Sequence, residues 1–215
     1  MAFIEDEKAY LEYKEVANSS KNIKELTIEQ VRQEFPSAPR IAMARTVFLD
    51  TKAGIVMAER YMRTILEHLK ITKSIDLYEN TEVLSITNNP KLVTLKIKTK
   101  DQVKEISTRK VSLNCGRWIS KLVPAVEKIL IPVRQSISFW NMKQPENYNI
   151  GAHPSWVHTK NGVVNFILPS VGGDGIKFGT HEHSPALEKQ FPEEKAFLKK
   201  KMEDMENNME EYFKG

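Results

Sequence analysis

Alternation of apolar and polar residues is clearest between Val93 and Lys98, where each apolar residue is followed by threonine or lysine. A period of two places the apolar side chains on one face of a strand and the polar ones on the other. This segment is therefore predicted to be a strand with one solvated face.

Two segments show helical signals in the first third of the chain. Apolar residues between Val56 and Lys70 recur at positions 58, 62, 65, 66 and 69, which predicts an amphipathic helix. A shorter helix is predicted to begin after Thr27, because Gln30 follows three residues later as in a capping box. Pro36 ends this helix.

Two further segments carry helical patterns. Residues 5–20 are polar and show a weak helical pattern. Residues 187–213 are highly charged, with helical spacing that places one set of apolar residues on one side: Leu198, Met202, Met205 and Met209.

Strand-forming runs occupy much of the remainder, at residues 46–49, 75–86, 133–140, 156–157, 163–168 and 175–180. This order of elements predicts a mixed α+β or α/β fold. We expect a mainly antiparallel sheet with flanking helices.

Composition excludes several classes of function. The chain has 215 residues, of which 40% are hydrophobic, and a net charge of +4 with acidic residues interleaved among the basic ones. A nucleic-acid surface would gather its basic residues on one face, so no nucleic-acid partner is expected. No apolar run is long enough to span a membrane. The lone Cys115 allows no internal disulfide and suits a reducing compartment, so a cytoplasmic location is expected.

Common catalytic and metal-binding motifs are absent from the sequence. It contains no G-x-G-x-x-G, no phosphate loop, no G-x-S-x-G and no paired-cysteine zinc signature. His181-Glu182-His183 has the alternate spacing of metal ligands, but no third ligand is marked nearby, so no metal site is predicted. His153 and His158 are expected to be loop or surface histidines.

Two glycines have neighbours that indicate a binding site. Gly116 is expected to follow a strand, and a glycine there would let the backbone approach a flat ligand closely. The alternative is an ordinary glycine at the end of a strand. Trp118 is expected in the core in either case. Lys177 and His181 should share one face of a strand, about 13 Å apart, with Gly179 leaving room between them. An edge strand with a solvated lysine and histidine is the alternative.

Three segments, in order, resemble the sarcosine oxidase and N-methyl amino acid oxidase branch of the D-amino-acid oxidase superfamily. The first, residues 50–56, reads D-T-K-A-G-I-V before the amphipathic helix. The second, residues 81–122, follows the pattern T-x-V, hairpin, then x-G-x-W-x-S-x-L. The third, residues 169–181, reads P-S-V-G-G-D-G-I-K-F-G-T-H. Residues 132–135, P-V-R-Q, add a weaker fourth match.

The resemblance implies an FAD cofactor and assigns roles to individual residues. The flavin environment would include Val83, Cys115, Gly116 and Trp118. Lys177 would promote the reaction with oxygen, while His181 and Phe166 would belong to the substrate pocket. The FAD-binding domain would cover residues 54–131, without its N-terminal dinucleotide loop, and residues 1–53 and 132–215 would form a discontinuous substrate-binding domain.

The implied activity is oxidation of the C–N bond of a small amine or amino acid, with reduction of O2 to H2O2. We expect the chain to be the central part of such an enzyme and to be incomplete and inactive alone. Ile167 stands where the family often has glycine, and is expected to crowd the substrate pocket or displace the strand. The alternatives are a truncated, non-catalytic module, a half-enzyme whose flavin site a second chain completes, and a binding module unrelated to flavin.

Overall fold

A computed structural model describes residues 1–41, 43–73, 75–133, 135–160, 162–181 and 194–213. The chain divides into two compact units. The large unit comprises residues 1–55 and 133–215, and the small unit comprises residues 56–132. The assignment of these units as substrate-binding and FAD-binding domains stays a prediction.

The described strands, in chain order, are β1 (Ala2–Ile4), β2 (Ile23–Leu26), β3 (Thr46–Asp50), β4 (Glu82–Asn88), β5 (Val93–Lys98), β6 (Val103–Thr108), β7 (Ile137–Trp140), β8 (Trp156–Lys160), β9 (Val163–Leu168) and β10 (Ile176–His181). The described α-helices are α1 (Glu7–Ser19), α2 (Ile28–Glu34), α3 (Ala58–Thr72), α4 (Ile119–Leu122) and α5 (Glu194–Phe213). None of these helices is long and apolar enough to cross a membrane.

The large unit is built on a seven-stranded sheet in the order β2-β3-β1-β8-β9-β10-β7. Neighbouring strands are antiparallel except β1 and β8, which run parallel with Ala2 opposite Val157. The predicted mixed fold with a mainly antiparallel sheet and flanking helices is confirmed.

One face of this sheet carries the main core. Its buried side chains include Phe3, Val47, Trp156, Ile167 and Phe178, and they cluster with residues of α2 and α5: Val31, Met205, Met209 and Tyr212. The helical pattern of the C-terminal segment is confirmed over residues 194–213. Residues 187–193, where the pattern begins, lie outside the described part of the chain.

The opposite face of the sheet is only partly covered. Asp6 is the N-cap of helix α1, and its side chain accepts a hydrogen bond of 2.8 Å from the backbone N–H of Ala9. Ala9 and Tyr10 of α1 pack against Phe48, together with the neighbouring core residues Ala2 and Ile4. On the same face, Ile137 and Phe139 of β7 are exposed.

The sequence patterns located several elements correctly. The capping box at Thr27 is confirmed: its hydroxyl accepts from the N–H of Gln30 at 3.2 Å, and the Gln30 side chain accepts from the N–H of Thr27 at 2.8 Å. Strand β5 matches the alternating segment from Val93 to Lys98.

Other element predictions were wrong. The run at 75–86 becomes a strand only from Glu82, because Asn80 adopts a left-handed φ of 53° that interrupts extended backbone. The run at 133–140 forms a strand only from Ile137. Strands β1 and β2 were missed; with three and four residues, they are too short to display a convincing period.

The small unit contains α3, α4 and the antiparallel sheet β4-β5-β6. Helix α3 is confirmed, yet it has no buried residue. Ile97 is the buried hydrophobic residue among those described in this unit, whereas Ile71 is 79% exposed.

Candidate functional site

An open groove of about 620 Å³ lies on the partly covered sheet face of the large unit. Its apolar walls come from α1 on one side and from strands β3, β8 and β9 on the other, with the principal contributions from Tyr13, Val16, Phe48, Val157, Phe166 and Leu168. His181, at the end of β10, also lines it. A cavity of this size and lining is typical of a small-molecule site.

Phe166 lies near the centre of this face because of its strand register. It pairs with Val157 on β8 and with Gly179 on β10. Its ring lies over Gly179: a Cβ added there would come 2.8 Å from Cε1 of the ring and closer still to Cζ. The predicted free space above Gly179 is therefore filled by Phe166, and this expectation was wrong.

His181 and Phe166 are in contact. Their ring centroids are 5.1 Å apart, with an interplanar angle of 35°. The histidine therefore lies at the edge of an aromatic surface that continues into the groove. Their assignment to a substrate pocket, and the catalytic role of His181, stay predictions.

Lys177 lies on the same strand two positions before Gly179, and by strand alternation on the same face of the sheet. It pairs with Phe139 of β7 and Leu168 of β9, and its side chain is half-buried. Lys177 does not line the groove itself. The ring of Phe166, over Gly179, separates it from His181.

Ile167 does not crowd the groove. It is fully buried in the core on the opposite face of β9, where it pairs with Trp156. The neighbouring residue Leu168 faces the groove instead. The expectation of a crowded pocket was wrong because alternation along the strand turns position 167 away from it.

The predicted flavin-environment residues lie in the small unit. Val83 is half-buried on β4, where it pairs with Ile97. Cys115 is half-buried and has a free thiol. Trp118 is 54% exposed, with the Arg117 guanidinium 4.6 Å from its ring centroid, so its predicted core position was wrong.

Gly116 opens a short 3₁₀ turn and has a φ of 53°. The preceding strand β6 ends at Thr108, so the prediction that Gly116 directly follows a strand was wrong. A Cβ at this glycine would meet no atom within 4 Å. The space beside its backbone is open, as the approach of a flat group would require.

His153 and His158 were predicted to be loop or surface histidines. His153 does lie in a loop, whereas His158 lies in β8, and both are buried, at 2% and 1% exposure. The indole N–H of Trp156 donates to Nε2 of His153 at 3.2 Å, and Nδ1 lies 3.0 Å from the Ser37 hydroxyl. Burial lowers the pKa of His153 to about 4, against the opposing effect of Ser37. With Nε2 accepting, a neutral ring carries its hydrogen on Nδ1 and cannot act as a base toward Ser37.

His158 joins the sheet to α5. Its Nε2 lies 2.7 Å from Oε1 of Glu5, and its Nδ1 lies 3.0 Å from the Tyr212 hydroxyl. Burial raises the pKa of Tyr212. The burial of these histidines could not be predicted from the sequence, because both have hydrogen-bond partners more than fifty residues away: Ser37 for His153, and Glu5 and Tyr212 for His158.

The described residues contain no group of three His, Cys, Asp or Glu side chains able to hold a metal ion. Glu182 and His183 of the His-x-His motif lie outside the described residues, as does Arg134 of the weaker fourth motif.

Comparison with known proteins gives a partial relationship. No family model matches the chain. The chain is 30% identical over 108 residues to the monomeric sarcosine oxidase of Bacillus sp. (strain NS-129). The match covers 45% of this chain and 28% of that enzyme. It supports a relationship to oxidoreductases at a coarse level.

Proposed function

We propose that this chain is the central part of an FAD-dependent oxidoreductase that oxidises the C–N bond of a small amine or amino acid, with O2 as the electron acceptor. The main support is the groove on the sheet face, which brings Phe166 and His181 together beside apolar walls. The partial similarity to a sarcosine oxidase supports the same class of chemistry.

In this proposal the groove walls, His181 and Lys177 of the large unit have separate roles. The apolar walls of the groove would exclude water around the reacting carbon and nitrogen. His181 would orient the polar end of the substrate by hydrogen bonding. Lys177 would provide a fixed positive charge that stabilises the negative charge developing on oxygen as it is reduced.

Several features of the small unit fit a bound FAD. Strand β4, which carries Val83, is at the edge of its sheet and can offer backbone groups to a ligand. The open space at Gly116 and the exposed ring of Trp118 suit a flat group. We propose that these residues, with Cys115, hold part of the cofactor, which would take the electron pair from the C–N bond.

Flavin retention tests this proposal. The purified chain is mixed with excess FAD and passed through gel filtration, and the visible absorption of the protein peak is recorded. We expect flavin bands to travel with the protein, and Gly116→Ala to reduce them. Gly151→Ala is the matched control, since Gly151 also has a positive φ and open space for a Cβ but belongs to the large unit.

A colourless protein peak would reject flavin binding by this chain. It would favour the alternative of a folded, non-catalytic module. One observation favours a third arrangement, in which a second chain completes the site: the small unit exposes large apolar residues, including Tyr61, Ile71 and Ile129.

The role of Lys177 is tested without an amine substrate. Flavin bound to the chain is reduced chemically, and its reoxidation by O2 is followed in a stopped-flow instrument. Lys177→Met is expected to slow reoxidation by at least about tenfold. Lys143→Met, which removes an exposed lysine outside the groove, should leave the rate unchanged. Equal rates for both variants would reject the assigned role.

A further inference from the structure

The lining of the groove contains two aromatic pairs. Tyr13 of α1 stacks on Phe48 of β3, with ring centroids 5.7 Å apart and an interplanar angle of 21°. Phe166 and His181, which also line the groove, form the second aromatic pair. Aromatic faces attract both apolar groups and organic cations, because the face of the ring carries partial negative charge.

The charged side chains that line the groove are acidic. Glu12 of α1 and Asp50 of β3 both contribute carboxylates, and no lysine or arginine side chain is among the described lining residues. Glu12 forms a long ion pair of 3.9 Å with Lys8, and the side chain of Lys8 is largely exposed. Asp50 accepts a hydrogen bond from the backbone N–H of Lys52 at 2.8 Å. No cationic side chain among the described lining residues balances its negative charge.

Met1 is also a lining residue, and its amino group donates a hydrogen bond of 2.7 Å to the carbonyl of Ser155. Burial lowers the pKa of this amine to about 6, although Asp50 opposes the shift. Above neutral pH it is largely uncharged. It therefore does not balance the two carboxylates under these conditions.

We propose that the groove binds an arylalkyl amine as its ammonium ion and discriminates against the same skeleton carrying a carboxylate. The inference rests on the proposed function and narrows its substrate class from amines or amino acids to amines without a carboxylate. An ammonium ion would be attracted by the carboxylates of Glu12 and Asp50 and by the aromatic faces. A ligand carboxylate would meet two like charges and no cationic side chain of the described lining.

Two ligands of matched shape and opposite charge test this preference. Binding of 2-phenylethylamine and of 3-phenylpropionate to the chain at about pH 8 is measured by NMR titration without flavin. Phenylalanine, which carries both charges, is the third ligand. We expect the amine to bind at least about tenfold more tightly than either carboxylate-bearing ligand, and the difference to shrink as salt is added.

Variants locate the effect in the groove. Glu12→Gln and Asp50→Asn are each expected to weaken amine binding by roughly threefold, as suits exposed carboxylates. Their effect on 3-phenylpropionate should be absent or opposite in sign. Glu34→Gln, which neutralises an exposed carboxylate of α2 that does not line the groove, is the matched control and should change neither affinity.

Equal affinity for the three ligands, tighter binding of a carboxylate, or no saturable binding of any ligand would each overturn the inference. Since the titration uses no flavin, its outcome is separate from that of the flavin-retention experiment. Flavin retention together with preferential binding of phenylalanine would keep the proposed function and assign it to an amino acid instead.

Discussion

The ring of Phe166 lies directly over Gly179 on the adjacent strand. The two residues are cross-strand partners between β9 and β10, and a Cβ at position 179 would overlap the outer end of the ring. Packing of an aromatic ring over a cross-strand glycine protects that backbone and fixes the ring. The glycine therefore fixes the position of Phe166, which lines the groove.

Replacement of Gly179 by alanine is expected to push the Phe166 ring toward the groove. We expect a loss of about 1–2 kcal/mol in the free energy of unfolding, typical of an added methyl group in a packed site. Because the overlap involves the end of a half-buried side chain, the ring can move and the cost stays moderate. Urea unfolding followed by circular dichroism measures the loss.

A double-mutant cycle identifies the cause. In a Phe166→Leu background, Gly179→Ala should cost clearly less, giving a coupling energy of about 1 kcal/mol. Gly54→Ala is the control, since a Cβ there meets no atom within 4 Å and the backbone needs no positive φ. Identical costs of Gly179→Ala in both backgrounds would show that Phe166 is not what the new methyl group meets.

Tyr212 stabilises the large unit through its contact with buried His158. Tyr212→Phe removes the hydroxyl that lies 3.0 Å from Nδ1 of His158 and leaves this buried nitrogen without that partner. A loss of about 1–3 kcal/mol in the free energy of unfolding is expected. Tyr13→Phe, which removes a hydroxyl from an exposed side chain of α1, should cost much less. Similar small losses for both would contradict a stabilising role for the contact.

The parts of the fold that sequence reasoning located depend on interactions between near neighbours. The capping box joins Thr27 to Gln30, and β5 shows its own alternation, so both can be found in a short window. Strand β1 is different. Its three residues pair with β3 and with β8, more than 150 positions away, and such long-range pairing leaves no local pattern.

The candidate site was located only in part for the same reason. The spacing of Lys177 and His181 correctly placed both on β10. What occupies the space between them depends on the register of β9, which brings Phe166 opposite Gly179. The charges of the groove depend on α1, whose residue Glu12 is far from β10 in sequence. Neither relationship can be read from local spacing.

The capping box provides a test of local stability in α2. Thr27→Ala removes the side-chain acceptor of the Gln30 N–H and is expected to cost about 1 kcal/mol, since α2 carries the buried residue Val31 into the main core. Thr27→Ser keeps a hydroxyl and should retain most of the stability. Thermal or urea unfolding compares the two variants. A loss as large for serine as for alanine would indicate that the methyl group of Thr27, and not its hydroxyl, is what matters.

Burial of His153 makes the stability of the large unit depend on pH. Burial lowers its folded-state pKa to about 4, below the ordinary value of 6.5, so the unfolded chain binds more protons between these values. Stability that is present at pH 7.5 should therefore be lost as the pH falls, by about 2 kcal/mol between pH 7.5 and 5. Urea unfolding at a series of pH values measures this slope.

Two variants assign the slope to His153. His153→Gln can still accept from the Trp156 indole and donate to the Ser37 hydroxyl, but it does not titrate, so its stability should fall less steeply below pH 6.5. Ser37→Ala removes a hydrogen-bond partner and keeps the buried imidazole, so it should be less stable at every pH and retain a steep slope. If His153→Gln keeps the full wild-type slope, the acid sensitivity comes from other groups and the buried imidazole is not its source.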